Sequence, residues 1–308
     1  MMRRRKENGT VMEPVLQTYE LTKRFGGKTA VDRVNMRIDR GDIYGFIGRN
    51  GAGKTTLMRM VLSQALPSEG HFDLFGQKPV PELHRRIGSM VETPGLYNNC
   101  SARENLLRFA ILAEADAREA DEILDLVGLA GTGSKHAGHF SLGMKQRLGI
   151  GIALLGHPEF IVLDEPVNGL DPAGIQEVRN LILRLNREQG ITFLISSHLL
   201  DELGKIATRF GIISSGRLVE ELTVGQLQER CGGKLRFVVD DPEKALAVLS
   251  GTMDPACIER RDHAMLVQEG TAPAAAINRQ LVEAGVEVSS IARESGSWED
   301  YFIERMGR

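Results

Sequence analysis

The chain has 308 residues, of which 42% are hydrophobic and 26% are charged, and its formal net charge at pH 7 is −3. This length suits one large domain with a smaller one, and the composition is ordinary for a soluble globular protein. The charge gives no reason to expect a strongly basic surface, and the longest nearly apolar stretch, around residues 148–156, is too short to span a bilayer.

Residues 1–6 are basic, but no apolar signal core follows them. We therefore expect a flexible basic tail over residues 1–14 and no secretion. The three cysteines, Cys100, Cys231 and Cys257, are odd in number and lack metal-ligand spacing. A reduced, cytosolic compartment is the simplest interpretation.

Short β-branched segments alternate with helical patterns in the first part of the chain, which predicts an α/β domain over residues 15–224. The predicted elements are a buried strand at 43–48, a helix at 55–66, buried strands at 160–164 and 191–196, and a strand pair at 211–219 that turns at Gly216.

The pattern between residues 91 and 140 is mostly helical, and Ser101 with Glu104 forms a capping box ahead of an apolar helix. This predicts a helical subdomain, at about residues 93–155, inserted between strands.

The pattern changes after about residue 224. Strand and helix patterns then follow in the order β-α-β-β-α-β, which predicts a small α+β domain of the ferredoxin-like type over residues 225–308. A last helix carries Trp298, Tyr301 and Phe302 at helical spacing, and we expect them to be core residues. This domain is acidic, which argues against a nucleic-acid-binding arm.

The segment GRNGAGKTT, residues 48–56, fits the pattern G-x-x-x-x-G-K-[ST] and lies between a predicted strand and a predicted helix. Its glycines let successive backbone N–H groups point at phosphate oxygens, and the helix N-terminus adds a positive end. Lys54 can reach the β- and γ-phosphates, and the Thr55 hydroxyl can bind Mg²⁺. The candidate nucleotide-binding residues here are Gly48, Asn50, Gly51, Ala52, Gly53, Lys54, Thr55 and Thr56.

The buried strand at 160–164 ends in Asp164, whose carboxylate is expected near the metal. Glu165 faces the other way and is placed to orient or deprotonate a water that attacks the γ-phosphate. Kinases, GTPases and motor ATPases share these two motifs, so the motifs leave the reaction open.

Ser141 and Gly143 start a further helix, which offers a second anion-binding N-terminus. One domain cannot easily wrap both helix ends around one nucleotide. Two copies facing head to tail can do so, each giving its serine–glycine turn to the partner's nucleotide. Taken in isolation, the turn favours the simpler interpretation, a plain N-capped helix.

Over residues 15–222 these motifs resemble the ATP-binding subunits of ABC transporters. The resemblance implies a P-loop NTPase fold with ATP and Mg²⁺ as cofactors. It places Phe25 where an aromatic ring stacks on adenine, and His198 where a switch histidine contacts the γ-phosphate. It also matches residues 141–144 to the signature motif and residues 168–171 to the dimer-communication loop.

In the same family, Lys54, Glu165 and His198 are the catalytic positions, and Thr55 and Asp164 are the Mg²⁺ ligands. A third ligand position, usually glutamine, is occupied by Glu92 at the hinge into the helical subdomain. A carboxylate can still bind Mg²⁺, but it adds negative charge beside the triphosphate.

Two further departures concern the signature and the loop after it. The usual L-S-G-G-Q reads F-S-L-G-M at residues 140–144, and Asn168 stands where serine is commoner. Together with the C-terminal extension, these features resemble the drug- and peptide-exporting type, which includes bacitracin- and lantibiotic-resistance exporters.

The resemblance implies a homodimer of ATPase subunits at the cytoplasmic face of the membrane, paired with a separate polytopic permease and not with nucleic acid. We expect the permease to dock at residues 94–100, where Leu96 and Tyr97 lie. One alternative is a soluble, non-transport ABC ATPase of repair or translation, although these usually carry two cassettes or long coiled coils. Another is a small-molecule kinase, which leaves Ser141 and His198 unexplained.

Overall fold

The computed structural model describes residues 14–231, 233–268, 270–294 and 298–307. Within it the chain divides into two compact units, one running to Val224 and including residues from Arg305 onward, and one covering Gly225–Glu304. The basic tail expected at residues 1–14 lies outside the described residues, except for Pro14, which already begins the first strand.

The first unit contains a mixed set of strands and helices. Its strands are β1 (Pro14–Phe25), β2 (Lys28–Val34), β3 (Arg37–Asp39), β4 (Ile43–Ile47), β5 (Glu69–Leu74), β6 (Ile87–Met90), β7 (Phe160–Asp164), β8 (Thr192–Ser197), β9 (Arg209–Ser214) and β10 (Arg217–Thr223). Its helices are α1 (Lys54–Val61), α2 (Pro81–His84), α3 (Ala102–Ala113), α4 (Glu119–Leu126), α5 (Leu142–Ala153), α6 (Pro172–Gln189) and α7 (Leu200–Gly204).

Six of these strands form a sheet in the order β10-β9-β4-β8-β7-β6, in which all neighbours except the β9–β10 hairpin are parallel. Strands β4, β7 and β8 are buried along their whole length, as expected for apolar parallel strands covered on both faces. Their carboxyl ends therefore meet at one edge of the sheet, where α/β proteins bind ligands.

An antiparallel sheet packs against this one. Strand β1 pairs with β2, β3 and β5. Apolar residues of both sheets share one core, in which Leu16 and Ile38 join Phe46 and Phe160. Because β1 is anchored in this core, its end at Phe25 is held near the edge where β4 and β7 finish.

The predicted strands and hairpin are present, but helix α1 ends at Val61 and not at residue 66. Ser63 takes a left-handed conformation with φ of +56°, and the N–H of Gln64 returns to the carbonyl of Arg59. This turn ends the helix.

Helices α3, α4 and α5 lie between β6 and β7 in the chain. Helix α3 begins with the predicted capping box: the Ser101 hydroxyl accepts from the Glu104 N–H, and the Glu104 carboxylate accepts from the Ser101 N–H. These interactions satisfy N–H groups that a helix start otherwise leaves open.

The second unit has its own apolar core. Its elements are α8 (Val224–Arg230), β11 (Lys234–Val239), α9 (Pro242–Ser250), β12 (Ile258–Arg261), β13 (Ala264–Gln268), α10 (Ala274–Glu283), β14 (Val288–Glu294) and α11 (Trp298–Gly307). The strands form an antiparallel sheet in the order β12-β13-β11-β14. Phe302 is fully buried, as expected of a core residue, while Trp298 and Tyr301 are partly exposed.

No helix in the described part of the chain is both long and apolar enough to cross a membrane.

Candidate nucleotide site

The glycine-rich loop joins β4 to α1. Gly51 and Gly53 have φ values of +79° and +112°, which residues with a side chain rarely adopt. A Cβ on Gly53 would lie 2.5 Å from the carbonyl oxygen of Ala30, and one on Gly48 would lie 2.6 Å from that of Ile213. No side chain caps α1, so its first N–H groups remain open to an anion.

Lys54, the first residue of α1, is almost fully buried. Its ammonium group donates to the carbonyl of Gly48 at 2.6 Å and lies 3.5 Å from Oε1 of Glu165. Burial and these two partners hold the charge at the loop, where phosphate oxygens would be bound.

Asp164 ends β7 and is buried. One carboxylate oxygen accepts from the Thr55 hydroxyl at 2.7 Å, and the other accepts from the Ser196 hydroxyl. A carboxylate beside a hydroxyl is an oxygen donor set of the kind that Mg²⁺ prefers. Among the described residues, no group of three or more His, Cys, Asp or Glu side chains is placed to hold a metal ion.

Glu165 adopts a left-handed conformation with φ of +50°, which is strained for a non-glycine residue. Its N–H donates to the Ser196 hydroxyl at 2.9 Å. Its Oε2 lies 2.7 Å from Nδ1 of His198 and accepts from the His198 N–H at 3.3 Å. Oε1 is buried and, in the described part of the chain, makes no hydrogen bond, so an acceptor is left over beside Lys54.

Ser196 was not among the residues singled out from the sequence. It pairs with Asp164 in the register of β7 and β8, and its hydroxyl bridges the Asp164 carboxylate and the Glu165 N–H. The available signal was a buried serine at the carboxyl end of a predicted strand. Its importance depends on which strand lies next to β7, which the sequence pattern does not specify.

A cleft of about 350 Å³ opens over the loop. Its lining combines predicted residues with Lys28 and Ala30, which the motifs did not indicate. The lining residues are Phe25, Lys28, Ala30, Asn50, Gly51, Gly53, Lys54, Thr55, Thr56, Asp164 and Glu165.

Phe25 lies at the mouth of this cleft and is 56% exposed, which is unusual for a phenylalanine with a purely structural role. The Lys23 ammonium lies 4.9 Å from the centre of its ring. The exposed ring offers a flat apolar surface to a base.

Other predicted residues do not line the cleft. Gly48 and Ala52 support the loop, and His198 reaches the cleft through Glu165. Glu92 has φ of +66° and forms an ion pair with Arg59 on the exposed face of α1.

The turn at Ser141 and Gly143 also lies apart from the lining of the cleft. Ser141 is exposed and caps α5, its hydroxyl accepting from the Met144 N–H at 3.3 Å. Of these two helix starts, that of α1 opens into the cleft, whereas that of α5 carries a serine cap and lies apart from the cleft.

Comparison with known proteins agrees with this geometry. The family model for "ABC transporter" matches residues 31–168. The bacitracin transport ATP-binding protein BcrA of Bacillus licheniformis is 44% identical over 96% of this chain and 98% of that protein. The lantibiotic transport ATP-binding protein SrtF of Streptococcus pyogenes is 39% identical over 67% of this chain and 90% of that protein. The chain belongs to the ATP-binding subunits of ABC transporters.

The structure of CbiO1 from Clostridium perfringens, described as part of the ABC transporter complex cbiONQ, matches with a TM-score of 0.65. The identity is 26%, and the match covers 70% of this chain and 91% of that one. The ABC ATPase version of the P-loop NTPase fold is thus confirmed, as is the prediction of an ATP-hydrolysing transporter subunit. The non-transport alternative is not favoured.

Proposed function

We propose that this ABC subunit works as a homodimer in which each cleft is completed by the Ser141 turn of the other copy, and that dimer closure drives export through a separate permease. The proposal rests on the separation, within one chain, of the Ser141 turn from the cleft that would bind the nucleotide. The cleft holds Lys54, Asp164 and Glu165, while the exposed Ser141 turn at the start of α5 lies outside it.

The residues of the cleft divide the work. The open N–H groups of the loop and Lys54 bind the phosphates, and Phe25 stacks on the adenine. Thr55 and Asp164 would hold Mg²⁺, which supplies positive charge at the phosphate oxygens when bound. Asn50, Gly51 and Thr56 complete the wall of the cleft.

Glu165 is the residue that orients the attacking water and takes its proton. Its Oε1 is the acceptor left without a hydrogen bond, and its Oε2 is held by His198. Fixing one oxygen leaves the other aimed at a constant position, which favours general-base action. Lys54 and His198 in addition contact the γ-phosphate.

Glu92 supplies the third Mg²⁺ ligand in this proposal. Its ion pair with Arg59 would then offset the negative charge that the carboxylate adds beside the triphosphate.

A groove of about 340 Å³ beside this hinge is the proposed docking site of the permease. It is lined by Glu92, Thr93, Pro94 and Gly95 together with Phe109, and Tyr97 packs on Phe109 with ring centres 5.8 Å apart. We expect Tyr97→Ala to abolish recruitment of the protein to membranes that contain the permease while the ATPase rate of the purified chain persists. Unchanged recruitment of Tyr97→Ala and Leu96→Ala would place docking elsewhere.

The proposal also covers the location, the cargo and the domains of the protein. The dimer acts at the cytoplasmic face of the membrane, and nucleic acid is not a partner. The cargo is a drug or antimicrobial peptide, since the relatives are named for bacitracin and lantibiotic transport. The helical subdomain covers about residues 93–155. Residues 225–308 are an accessory ferredoxin-like domain, which the strand order β12-β13-β11-β14 supports.

Glu165→Gln tests the dimer. This change keeps the shape of the side chain and removes the base, so the variant should bind ATP, fail to hydrolyse it and accumulate as a closed dimer. Mass photometry of the full-length variant with Mg²⁺ and ATP should show twice the monomer mass, and the same sample with ADP should show monomer. A variant that stays monomeric with ATP contradicts the two-site arrangement.

A further inference from the structure

The signature turn departs from the family pattern at Leu142, which stands between Ser141 and Gly143 where glycine is usual. Leu142 is the first residue of α5 and is 45% exposed, so it is not a buried core residue. Its significance lies in what it contacts.

Leu142 lies over Gly169, in the loop that follows β7. A Cβ on Gly169 would lie 3.2 Å from Cδ2 of Leu142, and Gly169 has φ of +75°. In the other direction, a Cβ on Gly143 would lie 3.8 Å from Cδ2 of Leu170. Each segment thus places a leucine beside a glycine of the other, and the two turns interlock.

The helices behind these turns are also joined. Arg147 on α5 forms an ion pair with Glu177 on α6, with Nε and Oε2 3.3 Å apart. The same guanidinium donates to the carbonyl of Val127 at 2.8 Å. The leucine contacts therefore extend an existing α5–α6 connection to the ends that carry the Ser141 turn and the loop at residues 168–171.

That loop is attached to Glu165, because the Asn168 N–H donates to the Glu165 carbonyl at 3.1 Å. A continuous set of contacts thus runs from Ser141 through Leu142 and Gly169 to Glu165. In the proposed dimer, the Ser141 turn touches the partner's ATP, whereas Glu165 acts on the ATP of its own subunit. The contacts therefore connect the two ATP sites physically.

We propose that Leu142 is a positioning residue that makes the Ser141 turn and the 168–171 loop move together, so that ATP bound at one site sets the position of Glu165 at the other. The inference rests on the proposed function. A glycine at this position, as in the usual signature, has no side chain with which to make this contact.

The test compares full-length wild type with Leu142→Ala, Leu142→Met and Leu112→Ala. Leu112 on α3 is 74% exposed, so its truncation removes the same atoms away from the contact. Hydrolysis rates against ATP concentration give kcat, KM and the Hill coefficient. Binding of a fluorescent ATP analogue to dilute, monomeric protein gives intrinsic affinity, and thermal melting monitors folding.

We expect Leu142→Ala to lower kcat roughly three- to tenfold and to move the Hill coefficient towards one, as for coupling contacts in general. Analogue binding and melting temperature should match those of Leu112→Ala, because Leu142 does not line the cleft. Leu142→Met should retain most of the wild-type rate. Equal kinetics of Leu142→Ala and Leu112→Ala would overturn the inference, as would a loss of analogue binding that accounts for the lower rate.

Gly169→Ala provides an independent measurement. In wild type the new methyl group meets Leu142, whereas in Leu142→Ala only the backbone strain remains. The loss of kcat caused by Gly169→Ala should therefore be smaller in the Leu142→Ala background, and an equal loss in both backgrounds argues against the contact. Failure of Glu165→Gln to dimerise with ATP would instead refute the proposed function, and this inference with it.

Discussion

Removal of the Ser196 hydroxyl should damage catalysis more than its small size suggests. Ser196 is fully buried, and its hydroxyl donates to Asp164 while accepting from the Glu165 N–H at 2.9 Å. In Ser196→Ala, Asp164 retains the Thr55 hydroxyl, and the Glu165 N–H retains the Ser196 carbonyl at 3.2 Å. The Asp164 carboxylate and the Glu165 N–H thus each lose one of two hydrogen bonds, and we expect the fold to be kept.

The expected magnitude follows from the hydrogen bond to the carboxylate. Such bonds contribute roughly 1.5–3 kcal/mol, so the free energy of unfolding should fall by about 2 kcal/mol. If about 1.4 kcal/mol of positioning is lost in the transition state, kcat should fall about tenfold. The ATP affinity should change little, because the loop and Lys54 are untouched.

Ser197→Ala is the matched control. Ser197 is also buried, but its hydroxyl accepts from the Leu199 N–H at 2.9 Å and contacts neither acidic side chain. We expect denaturant unfolding to show both variants destabilised, and steady-state hydrolysis to show a large loss only for Ser196→Ala. Equal kcat values for the two variants, or a wild-type kcat for Ser196→Ala, would refute the positioning role.

Two further predictions concern ion pairs. The Arg86 and Arg40 guanidinium groups hold the pKa of Glu159 below its ordinary value. These ion pairs therefore stabilise the folded state above the unfolded-state pKa of Glu159, and this contribution is lost as the pH falls through the lower folded-state pKa. Glu159→Gln should therefore narrow the stability difference between neutral pH and the acid range, and denaturant titrations that fall in parallel with wild type would contradict this. Arg59→Gln leaves the Glu92 charge uncompensated and should raise the KM for ATP about two- to fivefold at low salt. Adding Glu92→Gln should return the KM to its wild-type value, and a double variant whose KM stays high would contradict this.

Much of the site could be predicted because it depends on local chemistry. The glycine pattern of residues 48–53 requires a loop before a helix, and the apolar stretch before Asp164 requires a buried strand that ends beside it. The capping box at Ser101 and the hairpin that turns at Gly216 are likewise encoded by neighbouring residues.

What could not be predicted depends on residues distant in the chain. Ser196 became significant only through the register of β8 against β7, and Arg59 reaches Glu92 across 33 positions. The contact of Leu142 with Gly169 likewise requires the packing of α5 on α6. The early end of α1 reflects the left-handed conformation of Ser63, which is uncommon for serine and is not indicated by the sequence pattern.

The central claim, that each ATP site is built from two copies, is tested most directly by mixing two inactive variants. Lys54→Ala removes the phosphate contact of a subunit's own cleft, and Ser141→Arg blocks the turn it offers to its partner. A mixed dimer has one site in which both parts are intact, so an equal mixture that exchanges freely can regain up to about a quarter of wild-type ATPase activity if the sites act independently. Loss of the coupling through Leu142 would lower that value by roughly three- to tenfold. Recovery between these limits, with each variant inactive alone, is the predicted result. A mixture that remains inactive, or a Ser141→Arg variant that hydrolyses ATP as fast as wild type, would contradict the claim.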